Sequence, residues 1–261
     1  MPHDEKYSFI RPIRYSRSFL NNKHEEFMHL SEEERRDLHS GDYVAVLENL
    51  PINRLHRLLP YINLRPDYRV VDFACGAGNF AELIHDRVLS VEGIDFSPDF
   101  IATAQNRASA QGIRNVNYHC RDIVEFCSEH VDEYDVVTAL DFSEHIYDED
   151  FLKIFGGAYR ILKPGGTLYI HTPNLDFFYE RMKGSGLAPQ FPQHIAVRNA
   201  AQNILLLQQC GFRHGDITCA FLPHFNVFRH LHLLSRFPWI GRWMQAKLML
   251  ACTKQTLSLS K

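Results

Sequence analysis

Short apolar runs alternate with amphipathic stretches from Arg69 almost to the end of the chain. The runs are rich in valine, isoleucine and aromatic residues, as buried strands are, and the stretches between them have the spacing of helices. Strands alternating with helices predict βαβ units, and therefore a doubly wound, mostly parallel α/β sheet with helices on both faces. The predicted strands are RVVDFA, VLSVEGID, VNYHC, YDVVTAL, GTLYIHT, FRHGDITCAF and AKLMLACTK.

The first 67 residues have a different pattern, which is polar and helical with thin apolar faces. Ser31 and Glu34 have the spacing of a capping box, which marks a helix start. A second helix is predicted from Asp42 to about Leu59. We therefore expect a helical N-terminal cap over residues 1–67, followed by one α/β domain over residues 68–261.

Residues 221–244 interrupt the alternation. This segment is aromatic, basic and free of acidic residues, and prolines divide it. Its place predicts a helical insertion before the last strand, on the sheet edge or over a site. Two interpretations stay open: an interfacial amphipathic segment or lid over an apolar substrate, and a helical hairpin packed in the core.

Charge is spread unevenly along the chain. The net charge is −3, which gives no reason to expect a nucleic acid partner. After Asp216, however, there is no acidic residue, and six basic residues follow. A basic end of this kind is suited to an anionic partner. From Lys247 onward we interpret the basic residues as a solvated tail.

Cysteine usage and hydropathy indicate the compartment. The six cysteines form no C-x-x-C pair and lie mostly in apolar surroundings, which is typical of reduced thiols in a cytosolic protein. The first residues lack the apolar stretch of a signal peptide. No apolar run approaches the ~20 residues of a membrane span. We expect a cytoplasmic protein, with peripheral membrane contact through residues 221–244 as a further possibility.

A glycine-rich turn, VVDFACGAGNF, joins the first predicted strand to a helix. Gly76 and Gly78 permit close backbone approach, and the helix start near Asn79 presents N–H groups to an acidic ligand. Asp95 ends the second strand, where a carboxylate can accept hydrogen bonds from both hydroxyls of a ribose. Together these features predict an adenosine cofactor at the carboxyl ends of the strands.

Four motifs then distinguish among adenosine cofactors. The dinucleotide fingerprint requires a third glycine, but Ala81 stands in its place. VVDFACGAGNF, GIDFSPDFIATA, HCRDI and RILKPGGTLYIHTPN, in this order, resemble the motifs of class I S-adenosylmethionine-dependent methyltransferases over roughly residues 68–212. The resemblance implies a seven-stranded Rossmann-like methyltransferase fold with S-adenosylmethionine as cofactor.

The first motif, by this resemblance, holds the methionine end of the cofactor. Gly76 and Gly78 would lie against it, and Asp72 would orient the methionine ammonium, through water. Ala74 belongs to the same motif and stands where the family usually has glycine. We expect this departure to leave the pocket open.

The later motifs, by the same resemblance, hold the nucleoside. Asp95 would bind the ribose, Phe96 would flank the adenine, and Asp122 would accept from its exocyclic amine. Leu140 ends the fourth strand, so the residues just past it would face the transferred methyl group.

Two carboxylates and an imidazole follow that strand in the stretch ALDFSEHI. A helical turn would place Asp141, Glu144 and His145 on one face, and we assign the three as candidate catalytic residues. In one interpretation they only cap and pack. In a second, His145 is the general base that takes the proton of an acceptor hydroxyl.

A third interpretation adds His194, from the stretch FPQHIAVRN after the fifth strand. Asp141, Glu144, His145 and His194 would form a mixed nitrogen and oxygen site for Mg²⁺, Mn²⁺, Fe²⁺ or Zn²⁺. This arrangement resembles the ubiquinone-pathway O-methyltransferases and the small-RNA terminal 2′-O-methyltransferases. Both have a first acid that is usually glutamate, and Asp141 is shorter.

The residues at and after the end of the fifth strand bear on the methyl acceptor. The sequence around HTPNLDFFYERM resembles the ubiquinone-type branch, which implies a hydroxyl of a small or lipid-like acceptor. RNA would need a basic channel with interleaved aromatic residues, and residues 221–244 are too apolar for one. N-methylation and RNA 2′-O-methylation stay as alternatives within the methyltransferases. An NAD-dependent oxidoreductase and a non-catalytic cofactor-binding partner protein stay as alternatives outside them.

Overall fold

The computed structural model describes residues 53–189, 193–224 and 227–256. Most of the predicted N-terminal cap, residues 1–52, lies outside the described residues. The described part of the cap contains helix α1 (Asn53–His56) and a 3₁₀ turn (Leu59–Tyr61). The division into a cap and a domain at residue 67 stays a prediction.

A seven-stranded sheet forms the centre of the molecule, as predicted. Its strand order is β3-β2-β1-β4-β5-β7-β6, and only β7 is antiparallel to its neighbours. The strands are β1 (Arg69–Phe73), β2 (Ser90–Asp95), β3 (Val116–Cys120), β4 (Tyr134–Leu140), β5 (Leu162–Pro173), β6 (Ile217–Leu222) and β7 (Lys247–Thr253).

Helices cover both faces of this sheet, each against its own apolar cluster. On one face, Phe80, Ile101 and Ala104 pack on β1 and β2; on the other, Phe126, Phe155 and Leu207 pack on β4 and β5. The helices are α2 (Asn79–Ile84), α3 (Pro98–Gln111), α4 (Ile123–Ser128), α5 (Asp148–Ile161), α6 (Phe178–Gly184) and α7 (Ala200–Gln209). Both faces are therefore buried, which explains why the central strands are continuous apolar runs.

The local signals in the sequence set the ends of the longer helices. Ser97 caps α3 by accepting from the backbone N–H of Phe100, Pro98 occupies the first turn, and Gly112 ends the helix at φ 69°. Asn199 and Gln202 form a capping box at the start of α7. These caps fix where each strand-to-helix loop leaves the sheet.

Residues 223–246 connect β6 to β7, so the predicted insertion is confirmed, although β6 extends through Leu222. The insertion contains two 3₁₀ segments, Val227–Arg236 and Gly241–Met244. Because β6 is antiparallel to β7, and β7 to β5, the insertion leaves and rejoins the sheet at the carboxyl edge of the parallel strands. Among the described residues, no helix is long and apolar enough to cross a bilayer.

Candidate active site

The carboxyl ends of the central strands meet at one edge of the sheet. The register pairs Phe73 of β1 with Ile94 of β2 and with Ala139 of β4, and it pairs Leu140 with His171 of β5. The loops that follow these strands carry the motifs singled out in the sequence. Ligands of open parallel sheets bind at this edge.

Three residues of the turn after β1 have a left-handed backbone conformation. Ala74, Gly76 and Gly78 have φ values of 51°, 53° and 80°. A methyl group added at Gly76 would meet no atom within 4 Å, so the space beside its backbone is open to a ligand. Ala74 adopts a left-handed conformation although it has a side chain, which costs about 1–2 kcal/mol.

The side chain of Tyr118 on β3 explains why positions 78 and 93 are occupied by glycine. A side-chain carbon at Gly78 would overlap the Tyr118 hydroxyl, and one at Gly93 would lie 2.6 Å from Cδ1 of the same ring. The ring is buried, and burial raises the pKa of its phenol well above the ordinary range. Gly78 and Gly93 are therefore required by packing against this ring.

Asp72 is a buried carboxylate beneath the turn. Thr138 of β4 donates to its Oδ1 at 2.6 Å, and among the described residues no basic side chain forms an ion pair with it. Burial, opposed by the Thr138 hydrogen bond and assisted by the charge of Asp95, raises its pKa to about 7. A cationic ligand group would stabilise the ionised form.

Asp95, at the end of β2, has a different environment. It accepts from the backbone N–H of Gly76 at 3.0 Å and from that of Ser97 at 2.9 Å, so it joins the first motif to the second. Phe96 follows and is partly exposed. Asp122 caps α4 through two backbone N–H groups. The contacts of Asp122 and Phe96 with adenine, and of Asp95 with the ribose, stay predictions.

The chain after Leu140 does not form the continuous helical turn that would align its three polar residues. Asp141 has a φ of 52°, and the 3₁₀ turn begins only at Ser143. The carboxylate of Asp141 does not belong to the group of ligand atoms formed by Glu144, His145 and His194. It pairs instead with the Arg54 guanidinium of α1 and with Lys247 Nζ at 3.2 Å. The expectation that these three residues share one helix face is wrong.

Glu144, His145 and His194 do come together. Each offers a ligand atom within 4.8 Å of those of the others, and Asp141 is not part of this group. The two imidazole rings meet edge-on, with centroids 5.1 Å apart. Glu144 is buried and accepts from Thr172 at 3.0 Å, and burial raises its pKa. Burial lowers the pKa of His194 to about 2, so this ring is neutral.

His145 has a defined tautomer. Its Nδ1 lies 2.9 Å from the Gln193 carbonyl oxygen, which can only accept, so Nδ1 carries the proton. In the neutral ring, Nε2 then carries the lone pair. The side chain can accept a proton or coordinate a cation through Nε2.

Arg198 links the loop that carries His194 to the turn that carries His145. Its guanidinium donates to the carbonyl oxygens of Ser143 and Ile146 at 2.8 Å each and pairs with Asp148 at 2.6 Å. The backbone N–H of Ala196 also donates to the Glu144 carbonyl. Two loops that are distant in sequence are thereby held side by side.

No pattern in the sequence indicated that Arg198, Thr172 and Lys247 belong to the site. The signal for Arg198 was weak, because a lone arginine before a helix cap is usually exposed. The interpretation of Lys247 as part of a solvated tail is wrong: it begins β7, its side chain is 14% exposed, and burial lowers its pKa to about 8. The antiparallel course of β7 brings it to the site edge, which no local pattern indicated.

The strand order already separates this sheet from the dinucleotide-binding order 3-2-1-4-5-6, because β7 is inserted antiparallel between β5 and β6. A family model described as a methyltransferase domain matches residues 43–214. The crystal structure of a SAM-dependent methyltransferase from Archaeoglobus fulgidus superposes with a TM-score of 0.59 at 20% identity, covering 78% of this chain and 92% of that one. This likeness shows the fold.

Two curated relatives are similar in sequence. The ubiquinone biosynthesis O-methyltransferase of Coxiella burnetii (strain Dugway 5J108-111) is 32% identical over 108 residues, 41% of this chain and 44% of that protein. The ubiquinone biosynthesis O-methyltransferase of Xanthomonas campestris pv. campestris (strain B100) is 30% identical over 131 residues, which are 48% of this chain and 54% of that protein. The chain spans about half the length of the curated relatives it matches.

The fold and the glycine-rich edge define a class I S-adenosylmethionine-dependent methyltransferase domain. The family match covers well over half of the chain, and the chain belongs to the methyltransferase domain family.

Proposed function

We propose that the protein transfers a methyl group from S-adenosylmethionine to a hydroxyl oxygen of a small or lipid-like acceptor. The observation that carries the proposal is the His145 imidazole. It stands just past β4 at the glycine-rich edge, and its Nδ1 proton is held by the Gln193 carbonyl. Nε2 is thereby the basic nitrogen, which is the group that methylation of a hydroxyl requires.

The residues at the turn fit the cofactor. The space beside Gly76 accepts a ligand against the backbone, and Asp72 is a buried carboxylate suited to the methionine ammonium. Asp95 can accept from the ribose hydroxyls, since each carboxylate oxygen has a second lone pair. S-Adenosylmethionine, when bound, supplies an electrophilic methyl group on its sulfonium.

His145 would take the proton as the acceptor oxygen attacks. A hydroxyl is a weak nucleophile at neutral pH, and a positioned imidazole contributes about 10²–10⁴-fold to such steps. Glu144 and His194 lie beside His145, with ligand atoms within 4.8 Å of one another. The buried ring of His194 is neutral, so it adds no second positive charge next to His145. The protonated His145 would then release its proton to water.

The choice of oxygen as the methylated atom rests on two supports. The base at His145 suits an acceptor that must lose a proton, and both curated relatives carry the name of an O-methyltransferase. N-methylation of a neutral amine needs no base before the attack, so it would leave His145 without this role.

A divalent metal is a second candidate role for the same cluster. Glu144, His145 and His194 have ligand atoms within 4.8 Å of one another, and one carboxylate with two imidazoles is a donor set that Fe²⁺, Mn²⁺ and Zn²⁺ accept. A metal held there would lower the pKa of an acceptor hydroxyl. Asp141 is engaged by Arg54 and Lys247, so the proposed set has three protein ligands and not four.

Calorimetry and turnover test the proposal together. The protein, stripped of metal, is titrated with S-adenosylmethionine and then with Mg²⁺, Mn²⁺ and Zn²⁺. Turnover is followed with a catechol, a single phenol and a long-chain phenol. We expect cofactor binding without metal. His145→Ala is expected to lower kcat about 100-fold or more while changing cofactor affinity less than about threefold.

The matched control is His214→Ala, which removes an exposed imidazole at the opposite edge of the sheet, before β6. Equal loss of turnover and cofactor affinity in His145→Ala would contradict the role of base. Stoichiometric metal uptake that is lost in His194→Ala would establish the metal role, and absence of cofactor binding would overturn the proposed function.

A further inference from the structure

An aromatic–basic patch lies on the insertion between β6 and β7. Its apolar members are exposed: Trp239 is 88% exposed, Leu233 68% and Phe237 56%. Single exposed apolar residues are ordinary, but several within one short segment mark an interaction surface. The full patch consists of Leu233, Phe237, Trp239, Ile240, Trp243, Arg229, Arg236 and Arg242.

The segment that carries the patch is folded and anchored. Its two 3₁₀ parts pack against each other, and a side chain at Gly241 would overlap the Ser235 carbonyl. On its inner side, Phe228 packs against Phe178 and Tyr179 of α6. The exposed side chains therefore lie on a segment whose backbone is held in place by packing.

The positive charge of the patch favours an anionic partner. Arg229, Arg236 and Arg242 are exposed, and no acidic residue occurs after Asp216. Of these three arginines, Arg242 lies 3.8 Å from the Asp176 carboxylate of the neighbouring loop. Tryptophan with arginine suits the interface of an anionic bilayer, because the rings enter the headgroup region and the guanidinium groups meet phosphate.

A second copy of the chain fits the patch less well. A two-fold dimer would place this surface against itself, and each arginine cluster would face another with no carboxylate of the segment to neutralise it. We propose that the aromatic–basic patch is a peripheral binding surface for anionic lipid bilayers. The proposal does not depend on the methyl acceptor.

The position of the patch gives the proposal a consequence for the site. The insertion leaves and rejoins the sheet at the carboxyl edge, and Lys247, which follows it, pairs with Asp141 beside the candidate active site. A bilayer that binds the patch would therefore lie at the edge where the acceptor enters.

Tryptophan emission is a direct reporter, since Trp239 and Trp243 are the two tryptophans of the sequence. Full-length protein is mixed with phosphatidylcholine vesicles, with or without about 30% phosphatidylglycerol. We expect a blue shift, quenching by brominated acyl chains and cosedimentation only with the anionic vesicles. Salt of about 0.5 M should reverse the binding. Trp243→Phe should keep the blue shift, with Trp239 as sole reporter.

Variants test the contributions of the patch. Arg229→Gln and Arg236→Gln should each weaken vesicle binding about fivefold, and Trp239→Ser about tenfold. The controls are Arg114→Gln and Leu89→Ser, both exposed at the amino edge of the sheet; they should bind like the parent. Cofactor titration verifies that each variant is folded.

Three results would overturn the proposal. The first is absence of binding to anionic vesicles at low salt. The second is equal loss of binding in the patch and control variants. The third is a blue shift that grows with protein concentration without vesicles, which would assign the patch to a second copy of the chain.

Discussion

Asp72 and Asp95 end or nearly end neighbouring strands, yet their surroundings differ. Asp95 accepts two backbone N–H groups of the loops that it joins. Asp72 has the Thr138 hydroxyl, and burial raises its pKa to about 7. Asp95 thus stabilises the loops, whereas ionised Asp72 has the Thr138 hydroxyl as a donor and would be stabilised further by a bound cation.

Asp72→Asn tests this difference. Between about pH 4 and pH 7 the folded protein holds a proton on Asp72 that the unfolded chain has released, so the raised pKa makes the free energy of unfolding fall as pH rises. Asp72→Asn should abolish this fall and stabilise the cofactor-free protein by up to about 4 kcal/mol at pH 8. Urea unfolding at pH 5 and pH 8 measures the difference between parent and variant.

Cofactor affinity should respond in the opposite direction. In the parent, affinity should rise as pH increases through 7, because the ionised carboxylate binds the ammonium; in Asp72→Asn it should be weak at every pH. A parallel pH dependence in parent and variant would contradict this role of Asp72.

Individual residues also show what sequence can and cannot predict. The cap at Ser97 and the stop at Gly112 were predictable because each depends on neighbouring residues. The ion pairs of Asp141 with Arg54 and Lys247 were not, since these partners are 87 and 106 positions away. The left-handed backbone of Asp141 was not predictable either, and it prevents Asp141 from sharing a helix face with Glu144 and His145.

At the scale of elements, the candidate site is made by two loops, one after β4 and one after β5. The sequence predicted that both lie at the same sheet edge, because parallel strands require it. It could not predict the clamp between them, which consists of the Arg198 side chain and one backbone hydrogen bond from Ala196.

Arg198→Met should release this clamp. The carbonyl of buried Ser143 and that of half-buried Ile146 would lose their donor, and we expect a loss of about 2–4 kcal/mol in the free energy of unfolding. Turnover should fall more than cofactor affinity, because the glycine-rich turn that we propose to hold the cofactor follows β1, away from this clamp. Urea unfolding and a comparison of kcat with the cofactor Kd measure the two effects.

Arg121→Met is the matched control, since Arg121 pairs with Glu129 at the surface and exposed pairs contribute little. If Arg198→Met were as stable and as active as Arg121→Met, the clamp would have no role in placing His145.

At the scale of the whole molecule, the sheet and the insertion are separable. Leu222 and Lys247 are register partners, so the two strand ends are already adjacent without residues 223–246. Among the residues that the structure describes, the two core clusters contain no side chain of the insertion. The strand content and the mostly parallel sheet were predictable from periodicity; the antiparallel β7 was not, because strand direction depends on how the chain returns.

Replacing residues 223–246 by an Asn-Gly turn should therefore give a folded protein. We expect cofactor affinity within about threefold of the parent and a thermal midpoint lower by several degrees, because Phe177 loses its contacts with His224 and Phe228. Vesicle binding should disappear. A variant with scrambled order of residues 227–236 is the control for segment length, and loss of cofactor binding in the turn variant would show that the insertion is part of the fold.

The ring of Tyr118 has a consequence for the history of the family. Its hydroxyl end fills the space beside Gly78 and its ring edge fills the space beside Gly93, so one side chain on β3 constrains two positions on other elements. Relatives that carry a larger residue at position 93 should carry a smaller one at position 118. Substitution at these sites should therefore occur in pairs, and an ancestor that changed one before the other would have passed through a destabilised intermediate.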